Sequence, residues 1–374
     1  MAQTYDICIR GAGIVGRTLA LHLASKRLKV ALVDNSSRTD ESPDVRAYAL
    51  NAQSRQLLEA IRCWPADAHA TPVLHMAVMA DAEAQVHFDA APQGVEALNW
   101  IVDVPVLEQQ LSQAVQFQSL ISVVDTPQAA SLTVVCEGRA SATRDEFGID
   151  FDTRRYAQWA VAARVESTLP HQQTARQWFH DGDITALLPM QGPDGNFHAL
   201  VWSVSPDRAR TLMHYTDTEF TDALQTATRM TVGNLRLASP RASWSLQHAV
   251  ANRWVGTFQA QGLRRAWVLA GDAAHNVHPL AGQGLNLGLG DVAELVRVLD
   301  TRSYWRPVDD MRLLRQYERA RKAAFAVVGG SGNSLQQLFT HPHGWIQNAR
   351  SWGMRGFDSC APLKHWVARQ AMGL

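Results

Sequence analysis

Tyr5 to Ile9 places Ile7, Cys8 and Ile9 in one short apolar run, which predicts a buried strand. From Ile14 to Lys26 the apolar positions shift to helical spacing, and Lys29 to Asp34 returns to a strand pattern, so the chain opens with a βαβ unit. Far downstream, Arg265 to Ala270 predicts another strand and Asn286 to Leu299 a helix. A further helix is expected over Asp309 to Val328, with Leu313, Leu314, Tyr317, Ala320 and Ala324 on one face. Gly329-Gly330-Ser331-Gly332-Asn333 follows that helix rather than a strand, so it predicts a break between helices and not a second nucleotide loop. The tail from Leu335 to Leu374 mixes Leu338, Phe339, Trp345, Ile346, Trp352, Met354, Phe357 and Trp366 with Arg350, Arg355, Lys364 and Arg369. Such an amphipathic basic pattern leaves three readings open: membrane-surface contact, a closing helix pair, or an oligomer contact.

Between the first strand and its helix lies Gly11-Ala12-Gly13-Ile14-Val15-Gly16. Gly11 permits the tight turn, Gly13 lets a pyrophosphate approach the backbone, and Gly16 lets helix and strand pack closely. The helix N-terminus, at Ile14 and Val15, is then an anion site. Asp34 ends the second strand about twenty residues on, where a carboxylate accepts hydrogen bonds from an adenosine ribose. Arg10, just before the turn, is either a phosphate neighbour or a strand-end surface arginine.

Composition narrows the class. With 35 basic and 35 acidic residues, the net charge of zero gives no general attraction to nucleic acid or anionic lipid. The four cysteines, Cys8, Cys63, Cys136 and Cys360, show no paired spacing, so neither a disulfide framework nor a zinc site is expected. His275 and His278 stand at i, i+3 without a carboxylate or cysteine to complete a set, and no metal is expected. The chain runs directly into its first strand and holds no apolar run of the ~20 residues a membrane span needs, so a cytoplasmic protein is expected, with peripheral contact at the inner membrane left open. The 12 tryptophans exceed what a core alone accommodates, a hint of apolar ligand surface.

The strand Arg265 to Ala270 runs into Gly271-Asp272-Ala273-Ala274-His275-Asn276-Val277-His278-Pro279-Leu280-Ala281-Gly282-Gln283-Gly284-Leu285-Asn286-Leu287-Gly288. This stretch resembles the GDAAH and HPxAGQGxNxG signature of the p-hydroxybenzoate-hydroxylase-like flavoprotein superfamily. It is most similar to the branch of ubiquinone-biosynthesis hydroxylases, of the 2-polyprenyl-6-methoxyphenol hydroxylase type. Arg46-Ala47-Tyr48-Ala49-Leu50 resembles the family's arginine segment near flavin and pyrophosphate. Trp100 to Leu111 resembles the strand and helix that return the chain to the flavin domain. Tyr156 to Pro189, with Ala160 to Ala163 as a strand, follows the ubiquinone branch in its β-sheet substrate domain, with Trp202 and Ser203 on the next strand. None of these substrate-domain residues is assigned catalysis.

Glu137-Gly138-Arg139-Ala140-Ser141-Ala142-Thr143-Arg144 resembles the family's DG motif with glutamate in place of aspartate, which changes the geometry around the pyrophosphate or toward a nicotinamide donor. Between Leu111 and Leu132 the family inserts a longer strand meander that this chain lacks.

The resemblance implies an α/β fold: a Rossmann-type (GR2) FAD-binding domain, an inserted mixed β-sheet substrate domain and C-terminal helices. The corresponding segments are 1–70, 101–150 and 256–310 for the flavin domain, 71–100 and 151–255 for the substrate domain, and 311–374 for the helical region. FAD is the implied cofactor, held by Gly11, Gly13, Ile14, Val15, Gly16, Asp34, Arg46, Glu137, Gly138, Gly271, Asp272, Pro279, Gly282, Gln283, Gly284, Leu285 and Asn286. Asp272 at its strand end can bind a ribityl hydroxyl, and the dipole of the helix that follows favours negative charge at the flavin pyrimidine edge. Pro279, Gln283, Gly284 and Asn286 are expected at the isoalloxazine, with no acid or base singled out.

The implied reaction is hydroxylation of a prenylated phenol by O2 through a flavin C4a-hydroperoxide, with NAD(P)H or another electron donor. Other ubiquinone-synthesis proteins, the membrane surface and a second copy of the chain are the implied partners. Two rivals stay open: a flavin monooxygenase for another aromatic substrate, and a low-turnover FAD-binding subunit of the ubiquinone-synthesis complex.

Overall fold

The computed structural model describes residues 5–35, 44–79, 85–192, 194–260, 262–277 and 283–340, with side chains as far as 327. A six-stranded sheet forms the first layer, in the order Val255–Ala260, Leu263–Leu269, Ala130–Val135, Tyr5–Arg10, Val30–Val33 and Ile121–Val124. All of its pairings are parallel except that of the hairpin Val255–Ala260 with Leu263–Leu269. A parallel sheet buried on both faces demands apolar strands, and Val30–Val33 is buried at all four positions. Helices Ile14–Ser25, Val104–Gln116, Gln283–Asp300 and the start of Met311–Thr340 cover one face, joining Ile7, Ile9, Leu32 and Val134 in the largest apolar cluster.

The short interval from Leu111 to Leu132 holds the end of the helix Val104–Gln116 and one whole strand. Ile121–Val124 pairs with Val30–Val33, and residues 125–129 then cross the sheet to reach Ala130–Val135 on the far side of the first strand. The Gln128 N–H donates to Cys8 Sγ at 3.4 Å on that crossing.

The second layer is a nine-stranded mixed sheet, in the order His275–Asn276, Ala242–Ala251, Phe151–Ser167, Phe197–Val204, Asp183–Met190, Thr174–His180, His75–Met79 and Gln85–Asp89, with Leu235–Leu237 beside Phe151–Ser167. Strand alternation divides its two faces. Trp178, Leu200, Trp202 and Val204 pack on Phe220 and Leu224 of a helix pair, Pro206–His214 and Asp217–Ala227. Ala175 and Ala199, on the other face, meet Ala49, Val73 and Ile101 of a three-stranded sheet formed by Ala47–Leu50, Asn99–Asp103 and Ala70–Val73. Arg164 of the large sheet clamps Asp103 of the small one, Nη2 to Oδ1 at 2.6 Å and Nη1 to Oδ2 at 3.2 Å.

One expectation fails. Met311–Thr340 is a single helix running through Gly329 to Asn333, where a break was expected. Each glycine costs about 1 kcal/mol relative to alanine, yet none removes a backbone N–H as proline would, so the hydrogen-bond ladder continues. Among the described residues no helix is long and apolar enough to cross a membrane. The tail from His341 onward, with its membrane and oligomer readings, lies outside the described residues.

Candidate functional site

Between the two layers lies a cavity of about 580 Å³. Its floor is the dinucleotide turn and the start of the helix Gln283–Asp300; its roof is the alanine-rich face of the large sheet.

The glycine turn performs the roles its spacing predicts. Gly11 has φ +108°, and a methyl there would fall 2.5 Å from Cys136 O. A methyl at Gly16 would fall 1.9 Å from Gly11 O, so helix and turn touch backbone to backbone. At Gly13, by contrast, a methyl would meet nothing within 4 Å, and the same holds for Gly138 and Gly284. All three face the cavity, as do Ile14 and Val15. Bare backbone bordering open space is what an extended dinucleotide requires, and the residues present fit FAD.

Two loops converge on this cradle. Glu137 does not extend into the cavity. Its carboxylate accepts from Ser141 Oγ at 2.8 Å, Thr143 N at 3.1 Å and Thr143 Oγ1 at 2.6 Å, while Ser141 caps the short helix Ala142–Glu146. The extra methylene relative to aspartate is thus taken up inside the loop. Arg144 is buried over the Phe151 ring at 3.7 Å, and its guanidinium donates to Arg139 O and, at 3.0 Å, to Ala273 O. The DG-like loop is thereby tied to the turn that carries Asp272. Arg10 pairs with Glu146 at 2.6 Å and lies 3.9 Å from Glu137.

Gly271, at φ +63°, heads that turn. Its N–H donates to the fully buried Asp291 carboxylate at 2.8 Å, which also accepts from His275 Nε2 and Arg321 Nε, both at 2.7 Å. Burial works to raise the Asp291 pKa, but His275 and Arg321 together outweigh it and hold the group below the ordinary carboxylate range. Asp272 faces the cavity, reachable by solvent through it yet enclosed by protein. Burial pushes its carboxyl up against the opposing pull of His275, Arg139 and Arg46.

Gln283, Gly284 and Leu285 line the cavity at the first described turn of their helix, which carries no acidic residue to oppose an anion. Asn286 does not line it. Its Oδ1 accepts from Asn51 N at 3.0 Å and Ser54 Oγ at 2.8 Å, and its Nδ2 donates to Ala49 O at 2.8 Å. It thereby clasps the helix to the strand Ala47–Leu50. Asp34 also lies off the cavity, 3.4 Å from Arg17 at the end of its strand. Arg46 does line it, with its charge already shared by Asp44 at 2.6 Å and Glu108 at 3.8 Å. Pro279 and Gly282 lie outside the described residues.

The cavity also takes in Tyr48, Arg139, Asn276 and Trp244, to which sequence reasoning gave no role. Tyr48, Arg139 and Asn276 stood inside quoted motifs. Nothing in the pattern around Trp244 pointed inward.

A dinucleotide turn, a strand-end acid and a helix N-terminus around one cavity define a flavin-binding α/β protein. Residues 125–328 match the family described as an FAD binding domain, and the chain belongs to that family. Among its relatives, the ubiquinone hydroxylase UbiL of Rhodospirillum rubrum is 29% identical, over 98% of this chain and 89% of the relative. The 3-demethoxyubiquinol 3-hydroxylase of Escherichia coli is also 29% identical, over 100% of this chain and 99% of its own length. The crystal structure of p-nitrophenol 4-monooxygenase PnpA from Pseudomonas putida superposes with a TM-score of 0.76 at 15% identity, covering 100% of this chain and 99% of that one, and so shares the fold.

Proposed function

We propose that this chain is an FAD-dependent monooxygenase that hydroxylates the aromatic ring of a polyprenylated phenol in ubiquinone biosynthesis, consuming O2 and electrons from NAD(P)H or another donor. The observation that carries the reading is the continuity of the cavity: one space of about 580 Å³ joins Gly13 and Asp272 on the cofactor side to Ala162, Leu188 and Trp244 on the sheet side. Its size suits a small-molecule pocket. An apolar arm toward Met76, Phe88 and Leu98 suits a ring that carries a hydrocarbon tail.

FAD, when bound, supplies the activation of oxygen and its transfer to the ring. The protein's share is binding, orientation and the exclusion of water. Asp272 would accept a hydrogen bond from a ribityl hydroxyl, and Gly13, Gly138 and Gly284 would leave the backbone bare along the cofactor. Ala162, Ala186 and Val201 close the sheet side with apolar surface, which denies bulk water a foothold at the reacting ring. The relatives named ubiquinone and demethoxyubiquinol hydroxylases support the substrate class. A substrate of that kind resides in a bilayer, so the reading includes peripheral contact with the inner membrane and with other ubiquinone-synthesis proteins.

The test is complementation of bacterial strains each lacking one ubiquinone-ring hydroxylase, with quinone and accumulated intermediates quantified by mass spectrometry. Restored quinone in one strain identifies the reaction and the carbon attacked. Failure in every strain, with soluble FAD-loaded protein present, overturns the substrate and leaves the flavin site intact.

A further inference from the structure

The roof of the cavity is largely apolar, and Ser203 is one of a few polar residues on it, beside Gln177, Ser245 and Gln247. Ser203 lies on Phe197–Val204, opposite Ile184 on one neighbouring strand and Ala160 on the other. Its chain neighbours Trp202 and Val204 point into the helix-covered core, so strand alternation turns Ser203 to the cavity, which it lines. The residue is 4% exposed, and among the described residues its hydroxyl has no hydrogen-bond partner. Thr18, to Ile14 O at 2.7 Å, and Ser54, to Asn286 at 2.8 Å, show buried hydroxyls that are bonded, while Ser243 Oγ, on the helix-covered face, has no partner among the described residues. A hydroxyl left unbonded in a protein interior is unfavourable, and native structures rarely keep one without a ligand or water for it.

Its surroundings indicate what it meets. Trp244 stands across Ala160 in the same row of the sheet, and Ala162 and Ala186 occupy the next row. Alanines between a serine and a tryptophan leave a flat, shallow recess about two strand spacings wide, roughly 10 Å, which accommodates an aromatic ring.

We propose that Ser203 is a specificity-determining residue that hydrogen-bonds an oxygen substituent on the ring of the substrate. The assignment rests on the reading above that a ring occupies the sheet side of the cavity. A serine hydroxyl both donates and accepts, so it serves a phenol hydroxyl or a methoxy oxygen alike. A ring without that oxygen leaves the hydroxyl orphaned and binds more weakly.

The test uses the FAD-loaded protein and reads ligand binding from perturbation of the flavin absorbance, which needs no turnover. The probes are 2-prenylphenol and prenylbenzene, with phenol and toluene as a second pair. Ser203→Ala is expected to weaken 2-prenylphenol about three- to tenfold, the worth of one neutral hydrogen bond, and to leave prenylbenzene and FAD affinity unchanged. Equal weakening of both members of a pair, or no effect on either phenol, overturns the assignment. If neither prenylated probe binds the wild type, the prenyl reading fails. Ser203 is then decided by the second pair: a preference for phenol abolished in Ser203→Ala supports it, and the absence of any preference overturns it.

Discussion

Asp291→Ala removes the acceptor of three buried contacts at once. The carboxylate is 0% exposed, His275 2% and Arg321 13%, so solvent cannot replace what is lost. Breaking a buried pair by deleting one partner costs about 3–5 kcal/mol, because the remaining charge stays desolvated and alone. Whole-domain stability is about 5–15 kcal/mol, so the variant should sit near the edge of folding. Asp207→Ala provides the control: the Asp207–Arg210 pair is 87% and 71% exposed, and such pairs contribute about 0–1 kcal/mol. Urea melts of the apoprotein followed by tryptophan fluorescence report the difference, since the Trp254 ring lies 4.8 Å from that of His275. Gly271 heads the turn presenting Asp272, so FAD affinity should fall as well, measured by flavin fluorescence on rebinding. Asp291→Asn, Arg321→Met and the double variant complete a cycle whose coupling should exceed about 1 kcal/mol. A loss in Asp291→Ala no larger than in Asp207→Ala would refute the reasoning.

Three further outcomes are expected. Asp272→Ala should lower FAD affinity at least tenfold with an unchanged apoprotein melt, and purified protein retaining full flavin would contradict the role given to this carboxylate. Gly16→Ala forces a methyl 1.9 Å from Gly11 O, so the turn must shift; flavin occupancy after purification should collapse, whereas Gly13→Ala, which meets nothing, should retain folding and show its defect in FAD affinity alone. His198 is fully buried, and burial, then His171 and Arg176, carry its pKa from 6.5 down to about 3. The unfolded chain takes up a proton below pH 6.5 that the native state refuses, so stability falls as pH drops through that window, by on the order of 4–5 kcal/mol over its full span. Urea melts at pH 7 and pH 4.5 should show a steeper acid loss for the wild type than for His198→Gln.

The βαβ unit was legible because a buried parallel strand and an amphipathic helix impose different periods on neighbouring residues, and glycine at Gly11 and Gly16 answers to contacts a side chain would violate. The turn at Gly271 was legible for the same reason. Asn286 was placed near the flavin by its motif position, which does not reveal what its side chain bonds. Its partners, Asn51 and Ser54, stand more than two hundred residues away, and nothing local reveals a clasp across that span. Ser203 was read only as part of a strand, and Trp244 was given no role, for a related reason. Alternation shows that a strand has two faces, but which face looks onto a cavity depends on the layers packed above and below. The break expected at Gly329 to Asn333 followed composition alone, where backbone hydrogen bonding prevailed.

The interleaving of the two sheets bears on how the molecule is made. The parallel sheet pairs Leu263–Leu269 with Ala130–Val135, and between these strands the chain leaves to form most of the second sheet. That sheet in turn needs His75–Met79 from the early chain and His275–Asn276 from the late one. Contacts of such long sequence separation slow folding and keep strand edges uncovered during synthesis. The first sheet is complete only once residue 269 has left the ribosome, and the second only at residue 276, so a nascent chain cannot hold cofactor early. Residues from both ends of the chain line the cavity, so its cradle closes only after the helix Gln283–Asp300 has been made.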